Sequence, residues 1–163
     1  DNEEWFEMIH AGNNEVNLAG CWFANGDGVD LPSQDIIEAP LGLTVSPTER
    51  PVFVKSSASD TIDCGLPYVY AYGTSISFNN DAFESLALWC PGQPEDVLVD
   101  EISFDGGFEA GMPWQLMNGS EDFTANDDPL NWCVDTDPTG YTWSCTVGAD
   151  TNYGTPGAAS TCP

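Results

Sequence analysis

Positive charge is almost missing from this chain: 2 lysine and arginine residues stand against 27 aspartates and glutamates, a formal charge of −25 over 163 residues. Nothing in it neutralises a row of phosphates, so nucleic acid is excluded as a partner, and anionic membrane surfaces with it. Histidine is scarce too. His10 is the only one; it follows Ile9 at the end of an apolar run and reads as an ordinary strand residue. Without a G-x-S-x-G elbow to accompany it, serine-type hydrolysis is not expected. There is no C-x-x-C pair, so a zinc site is not expected either. No apolar run approaches the roughly 18 residues that span a bilayer, and membrane insertion is not expected. Internal repeats and amphipathic segments of helical length are lacking as well. The chain opens on Asp1-Asn2-Glu3-Glu4 with no leader-like segment, and we read it as a mature, processed product.

What is present points to a folded β protein. Hydrophobic residues make up 41% of the chain, ample for a core, and a chain of this length is expected to form one domain that buries about two-thirds of its extended surface. Six cysteines in an acidic, strand-rich chain imply an oxidising compartment. The excess of carboxylates implies solubility, self-repulsion and attraction for cations.

Short strand-forming runs recur about every ten residues with turn formers between them. Trp5 to Ile9, a Gly12-Asn13-Asn14 turn and the alternating Val16 to Phe23 predict an opening hairpin. Asn25 to Asp30 is a polar loop. Ile36-Ile37 and Leu41 to Val45 are short apolar runs interrupted by Pro40, and Ser46 to Glu49 is a turn. Pro51 to Lys55, whose leading proline suits a strand start or an edge, Tyr68 to Tyr72 and Ser75 to Phe78 are further strand candidates. Ser85 to Cys90 alternates so that Leu86, Leu88 and Cys90 share one face. In Val97 to Phe104 the apolar phase changes midway, from Val97 and Val99 to Ile102 and Phe104. One extra residue near Asp100-Glu101, a β-bulge, restores it. From 111 onward, strands are expected to be rare, with one more candidate over Pro113 to Met117, and the segment from 118 is expected to be a loop-rich extension, held by its cysteines and by Trp132 and Trp143. These spacings fit an all-β sandwich, organised as one domain over 1–163, with the sandwich core in 1–117 and the extension in 118–163.

The opening Glu4-Trp5-Phe6-Glu7-Met8-Ile9-His10, its Gly/Asn turn and Val16-Asn17-Leu18-Ala19-Gly20-Cys21-Trp22 resemble the start of the lamin tail domain. Val99-Asp100-Glu101-Ile102-Ser103-Phe104-Asp105-Gly106-Gly107 looks like that family's late strand and its glycine-rich exit. Ala125 to Asp128, Asn131-Trp132-Cys133, Gly154 to Ala159 and Cys162 look like the close of its secreted bacterial members. The resemblance covers nearly the whole chain in order. It implies an immunoglobulin-like β-sandwich and no particular reaction, since such folds host many roles. It also implies a disulfide scheme: six cysteines allow fifteen pairings, and the secreted relatives suggest Cys21 with Cys90 and Cys133 with Cys162, leaving Cys64 with Cys145. A local Cys133–Cys145 bond is the main rival. Finally, the family carries an additional strand ahead of the Glu4-to-Glu7 segment. Only Asp1, Asn2 and Glu3 stand there in this sequence, so the resemblance implies an open sheet edge along Trp5, Phe6, Glu7, Met8 and Ile9.

Calcium is the cofactor that this composition suits best, because it takes six to eight hard oxygens. Asp27 and Asp30, with the carbonyls near Gly26 and Gly28, form one candidate ligand set. Asp127 and Asp128, with Glu121, Asp122 and Asn126, form another. No EF-hand spacing is present, and ion condensation on an acidic surface is the simpler alternative. Trp114, Trp132 and Trp143 are the candidates for stacking against a sugar, against a packing role in the core. The reading that joins these observations is a non-catalytic, secreted structural or interaction module. Its expected partner is a second copy, in a filament or other homo-oligomer, or a cell-surface protein. A calcium-assisted carbohydrate-binding or adhesion module is the alternative.

Overall fold

The computed structural model describes residues 4–26, 33–36, 42–55, 64–73, 76–78, 83–106 and 111–162, with the side chains of 26 and 33–36 left aside. It is all-β. The described strands are β1 (Trp5–Glu7), β2 (Val16–Asn17), β3 (Trp22–Gly26), β4 (Ser33–Ile36), β5 (Thr44–Val45), β6 (Val52–Val54), β7 (Tyr70–Ala71), β8 (Glu84–Cys90), β9 (Val97–Phe104), β10 (Trp114–Leu116), β11 (Trp132–Val134), β12 (Trp143–Val147) and β13 (Asp150–Gly154). Two sheets carry most of the core: a three-stranded one in the order β1-β6-β7 and a four-stranded one in the order β4-β3-β8-β9. The pairs β2-β5, β10-β11 and β12-β13 complete the set.

The largest core cluster lies between those two sheets. Phe23 and Leu88 come from the four-stranded sheet, Phe53 from the three-stranded one, and Leu18, Val45, Tyr72 and Ile76 fill the ends. Phe6 is the hub of the aromatic packing: it stacks on Phe53 with ring centroids 4.9 Å apart and meets Phe23 edge-on at 4.9 Å. A second cluster forms on the opposite face of the three-stranded sheet, where Val52, Val54 and Leu66 pack with Trp5 and Trp143. The β12-β13 hairpin thus covers that outer face.

The opening hairpin does not form. β1 pairs antiparallel with β6, β2 with β5, and β3 with both β4 and β8. The expected continuous strand from Val16 to Phe23 breaks at a turn, where Cys21 N–H donates to the Leu18 carbonyl at 2.9 Å and Gly20 takes a φ of 79°. That break buries Leu18, Cys21 and Phe23 together, which a regular two-residue alternation cannot do. The phase change in β9 is a bulge. Leu88 faces Asp100 while Trp89 faces Leu98, leaving Val99 as the extra residue. Ile76 to Phe78 is not a strand, although Ile76 is fully buried. The last third of the chain holds more strand than its polar composition suggests: β11, β12 and β13 all follow residue 118. The five-residue β12-β13 pairing aligns Thr146 with Thr151, whose hydroxyls lie 3.0 Å apart. β10 and β11 pair across the sequence position 117.

Three disulfides join distant segments. Cys21–Cys90 links the start of β3 to the end of β8, Cys64–Cys145 links the segment after β6 to β12, and Cys133–Cys162 links β11 to the C-terminal segment. Covalent ties of this kind belong to oxidising surroundings. Among the described residues no helix is long and apolar enough to cross a membrane.

Candidate functional site

β1 is the outer strand of its sheet, and its hydrogen bonds show which of its groups face outward. Met8 N–H donates to the Pro51 carbonyl, His10 N–H to the Glu49 carbonyl, and the Glu4 carbonyl accepts from Lys55 N–H. The even-numbered residues therefore turn their backbone groups toward β6. In an antiparallel ladder the alternate residues turn theirs the other way, so the N–H and C=O groups of Trp5, Glu7 and Ile9 face away from β6. Among the described residues no strand pairs with that side.

The open edge borders an apolar cleft of about 1140 Å³. Phe6, Met8, Leu86, Ile102, Leu116 and Trp132 are among its lining residues. Phe6, Met8, Leu86 and Cys90 pack on the main core yet are only half-buried. Among the described residues the core is thus only partly covered on the side of β1. β9 borders the same cleft through Val99, Ile102 and Phe104 and is itself the last strand of its sheet. Its first residues are exposed apolar ones: Val97 at 54%, Leu98 at 40% and Val99 at 49%.

Electrostatics ties β1 down on either side of this edge. Lys55 Nζ lies 3.1 Å from Glu4 Oε2, with both side chains largely buried. Arg50 reaches Glu7 Oε1 at 3.3 Å and Glu121 Oε1 at 3.5 Å. Glu7 Oε2 also accepts from Gly157 N–H, 2.5 Å away. Burial pushes the Glu7 carboxyl above its ordinary pKa, against the opposing pull of Gly157 N–H and of Arg50. Across the cleft, burial likewise raises Asp100, with the nearby charge of Asp127 adding to the rise, while hydrogen bonds from Asn126 and Glu101 N–H oppose it. These ion-paired and buried carboxylates escaped the sequence reading, because one in a crowd of 27 acids is indistinguishable by type. The usable signal was the rarity of Arg50 and Lys55: two cations in so acidic a chain are worth following to their partners.

The two calcium candidate sets fare differently. Asp27 and Asp30 lie outside the described residues. Asp127 and Asp128 are exposed, and Asp128 Oδ1 caps the 3-10 turn Pro129–Asn131 by accepting from Leu130 N–H at 2.9 Å. Asp122 Oδ1 is engaged in the same way, by Thr124 and Ala125. Among the described residues no group of three or more histidine, cysteine, aspartate or glutamate side chains is arranged to hold a metal ion. The aromatic candidates are packed. Trp114 stacks on Trp132 at 4.2 Å, and Trp143 meets Trp5 edge-on at 6.2 Å. His10 hydrogen-bonds through its ring to the Asn14 carbonyl and to Gly12 N–H, which locks the turn that follows β1.

Comparison of the chain with protein-family models, with curated proteins and with solved structures finds no match.

Proposed function

We propose that this chain is a non-catalytic structural or interaction module, an immunoglobulin-like sandwich of the lamin-tail type that works outside the cell and receives a strand of another chain along β1. That chain is a second copy, in a filament or other homo-oligomer, or a cell-surface protein. The observation supporting this reading is the outward-facing backbone of Trp5, Glu7 and Ile9 beside a cleft that leaves Phe6 and Met8 half-exposed. An edge strand with unused hydrogen-bonding groups is a template for strand addition. An added strand would satisfy those groups and cover the core in one step. The three disulfides agree with an extracellular setting.

Sedimentation of the native protein at micromolar concentration, alone and with candidate surface proteins, tests the reading. Association that slows amide exchange at Trp5, Glu7 and Ile9 is the expected result. A stable monomer in which those amides are already fully protected would contradict it.

A further inference from the structure

The bulge in β9 decides which side chains of that strand face the core. Leu86 and Leu88 pack on the core cluster, and the residues directly opposite them in β9 are Ile102 and Asp100. Directly opposed residues share one face of a sheet. Asp100 therefore stands in the inner row with Ile102 and Phe104, and it lines the cleft beside β1 with them. A bulge one residue later would have kept Val99 opposite Leu88 and still turned Ile102 and Phe104 inward. The observed bulge instead leaves Val99 49% exposed and puts a carboxylate among apolar neighbours. Bulges re-aim single side chains beside functional sites, and a local rule broken without a gain in packing is expected where a site is built.

The surroundings of Asp100 are short of donors. Its Oδ1 accepts from Glu101 N–H at 3.0 Å and its Oδ2 from Asn126 Nδ2 at 2.7 Å, while a carboxylate offers about four acceptor positions. Asn126 Oδ1 is buried and has no partner among the described residues. No lysine or arginine forms an ion pair with Asp100 among them; Arg50 lines the same cleft but is held by Glu7 and Glu121. Burial raises the Asp100 carboxyl in spite of its two hydrogen bonds, the behaviour of a charge that its neighbours serve incompletely. Aromatic rings stand close by. The Asn126 carbonyl accepts from Trp132 Nε1 at 2.6 Å, Trp132 stacks on Trp114, and Trp114 meets Phe104 at 5.4 Å. All of them line the cleft. From this geometry we infer that Asp100 anchors the ammonium group of a small apolar molecule whose body lies against the apolar lining of the cleft. A carboxylate among aromatic rings binds an alkylammonium ion by charge-assisted hydrogen bonding and cation–π attraction. A metal ion fits less well, since no three acidic, histidine or cysteine side chains gather to hold one among the described residues. The inference goes beyond strand addition and is independent of it, for it uses a side chain of β9 and not the backbone of β1.

Phenethylammonium, phenethyl alcohol and phenylpropanoate carry a similar apolar body and differ in charge, so together they test the inference. Each is titrated into the protein at physiological salt and followed by tryptophan fluorescence and by the NMR signal of the Asp100 carboxyl carbon. The ammonium is expected to bind saturably at millimolar concentration or below and to shift that carbon. The alcohol is expected to bind about tenfold more weakly, for want of the charge-assisted bond, and the carboxylate not at all. Asp100→Asn is expected to weaken the ammonium by about tenfold. Glu95→Gln, which removes one negative charge outside the cleft, is expected to leave it unaltered. The carbon signal is read in the native protein, so the test stands even where Asp100→Asn fails to fold. Equal binding by the ammonium and the alcohol would overturn the inference, as would an unmoved Asp100 carbon at saturation. Equal binding by the native protein and Asp100→Asn would reduce the effect to attraction by an acidic surface and overturn it too. Absence of saturable ammonium binding would have the same consequence. None of these results bears on strand addition, which is read from amide exchange at Trp5, Glu7 and Ile9.

Discussion

Lys55 Nζ sits 3.1 Å from Glu4 Oε2, and this pair fastens the start of β1 to the end of β6. Lys55 is 6% exposed, so its ammonium is held in a site where an unpaired charge is costly. Glu4 also accepts from Phe78 N–H at 3.1 Å, which leaves it doubly committed.

The first prediction follows from that burial. Lys55→Ala leaves the Glu4 carboxylate with its Phe78 N–H bond but without its cation, and is expected to lower unfolding stability by about 3 kcal/mol, within the range for breaking a buried pair from one side. A double variant with Glu4→Gln should recover part of the loss. Urea denaturation of the two single variants and the double variant measures the coupling. Strictly additive losses would mean that the pair contributes nothing.

The disulfides give the second prediction. Sequence separations of 69, 81 and 29 residues put the loop-entropy contribution of each bond at roughly 4 kcal/mol, with Cys133–Cys162 smallest by up to about 1 kcal/mol. Paired cysteine-to-alanine variants under denaturant should follow the order of those separations. Peptide mapping without reductant should find the three linked pairs, and a linked Cys133–Cys145 peptide would contradict the arrangement.

Some of this architecture was legible in the residues and some was not. The alternation of Leu86, Leu88 and Cys90 marked one face of β8, and those three residues do pack on the core. The phase slip in β9 announced its bulge, because a two-residue period admits no other repair. The opening hairpin misled. Its two halves have strand composition, but pairing is decided by burial against distant partners, and β1 finds Val52 to Val54 rather than Val16 to Asn17. The C-terminal strands were hidden for a related reason. Trp143 to Val147 is mostly polar on one face and is stabilised as a hairpin by Trp143 packing on Trp5 and by the Cys64–Cys145 bond, neither of which local propensity can register. At the site, the open edge along Trp5 to Ile9 was an implication of the lamin-tail resemblance alone; among the described residues β1, Trp5–Glu7, pairs on one side only. The cleft, its acidic lining and the engagement of both cations emerge only when β1, β9 and the C-terminal segments come together.

Acidity gives the third prediction. Glu7 and Asp100 have raised folded-state values. A raised carboxyl stabilises the fold fully below its unfolded pKa, about 4, and loses that contribution as pH rises through the folded value. Asp122 and Asp137 are lowered by hydrogen bonds from Thr124 and Thr139, so their contribution runs the other way and is lost as pH falls through those lowered values. Since self-repulsion among 27 acids also eases on acidification, Tm is expected to be higher near pH 5 than at pH 7, then to fall in stronger acid. Asp100→Asn should shrink the gain on acidification from pH 7 toward the ordinary carboxyl value of about 4. An unchanged gain in that variant would remove Asp100 from the account.

Salt provides the fourth. Sodium chloride should raise Tm by screening repulsion across the acidic surface. The calcium reading of Asp27, Asp30, Asp127 and Asp128 requires a further rise when calcium replaces sodium at equal ionic strength. Equal shifts would leave screening as the whole effect and remove calcium as a specific ligand.

The measurement that bears most directly on the central claim is residue-resolved hydrogen exchange along β1. In the isolated monomer the amides of Met8 and His10, bonded to Pro51 and Glu49, are expected to exchange slowly, while those of Trp5, Glu7 and Ile9 exchange fast. On association with another chain along this edge, the second set should become slow as well. Uniformly slow exchange of all five amides in a protein that sediments as a monomer would mean that the edge is already satisfied, and would contradict the account.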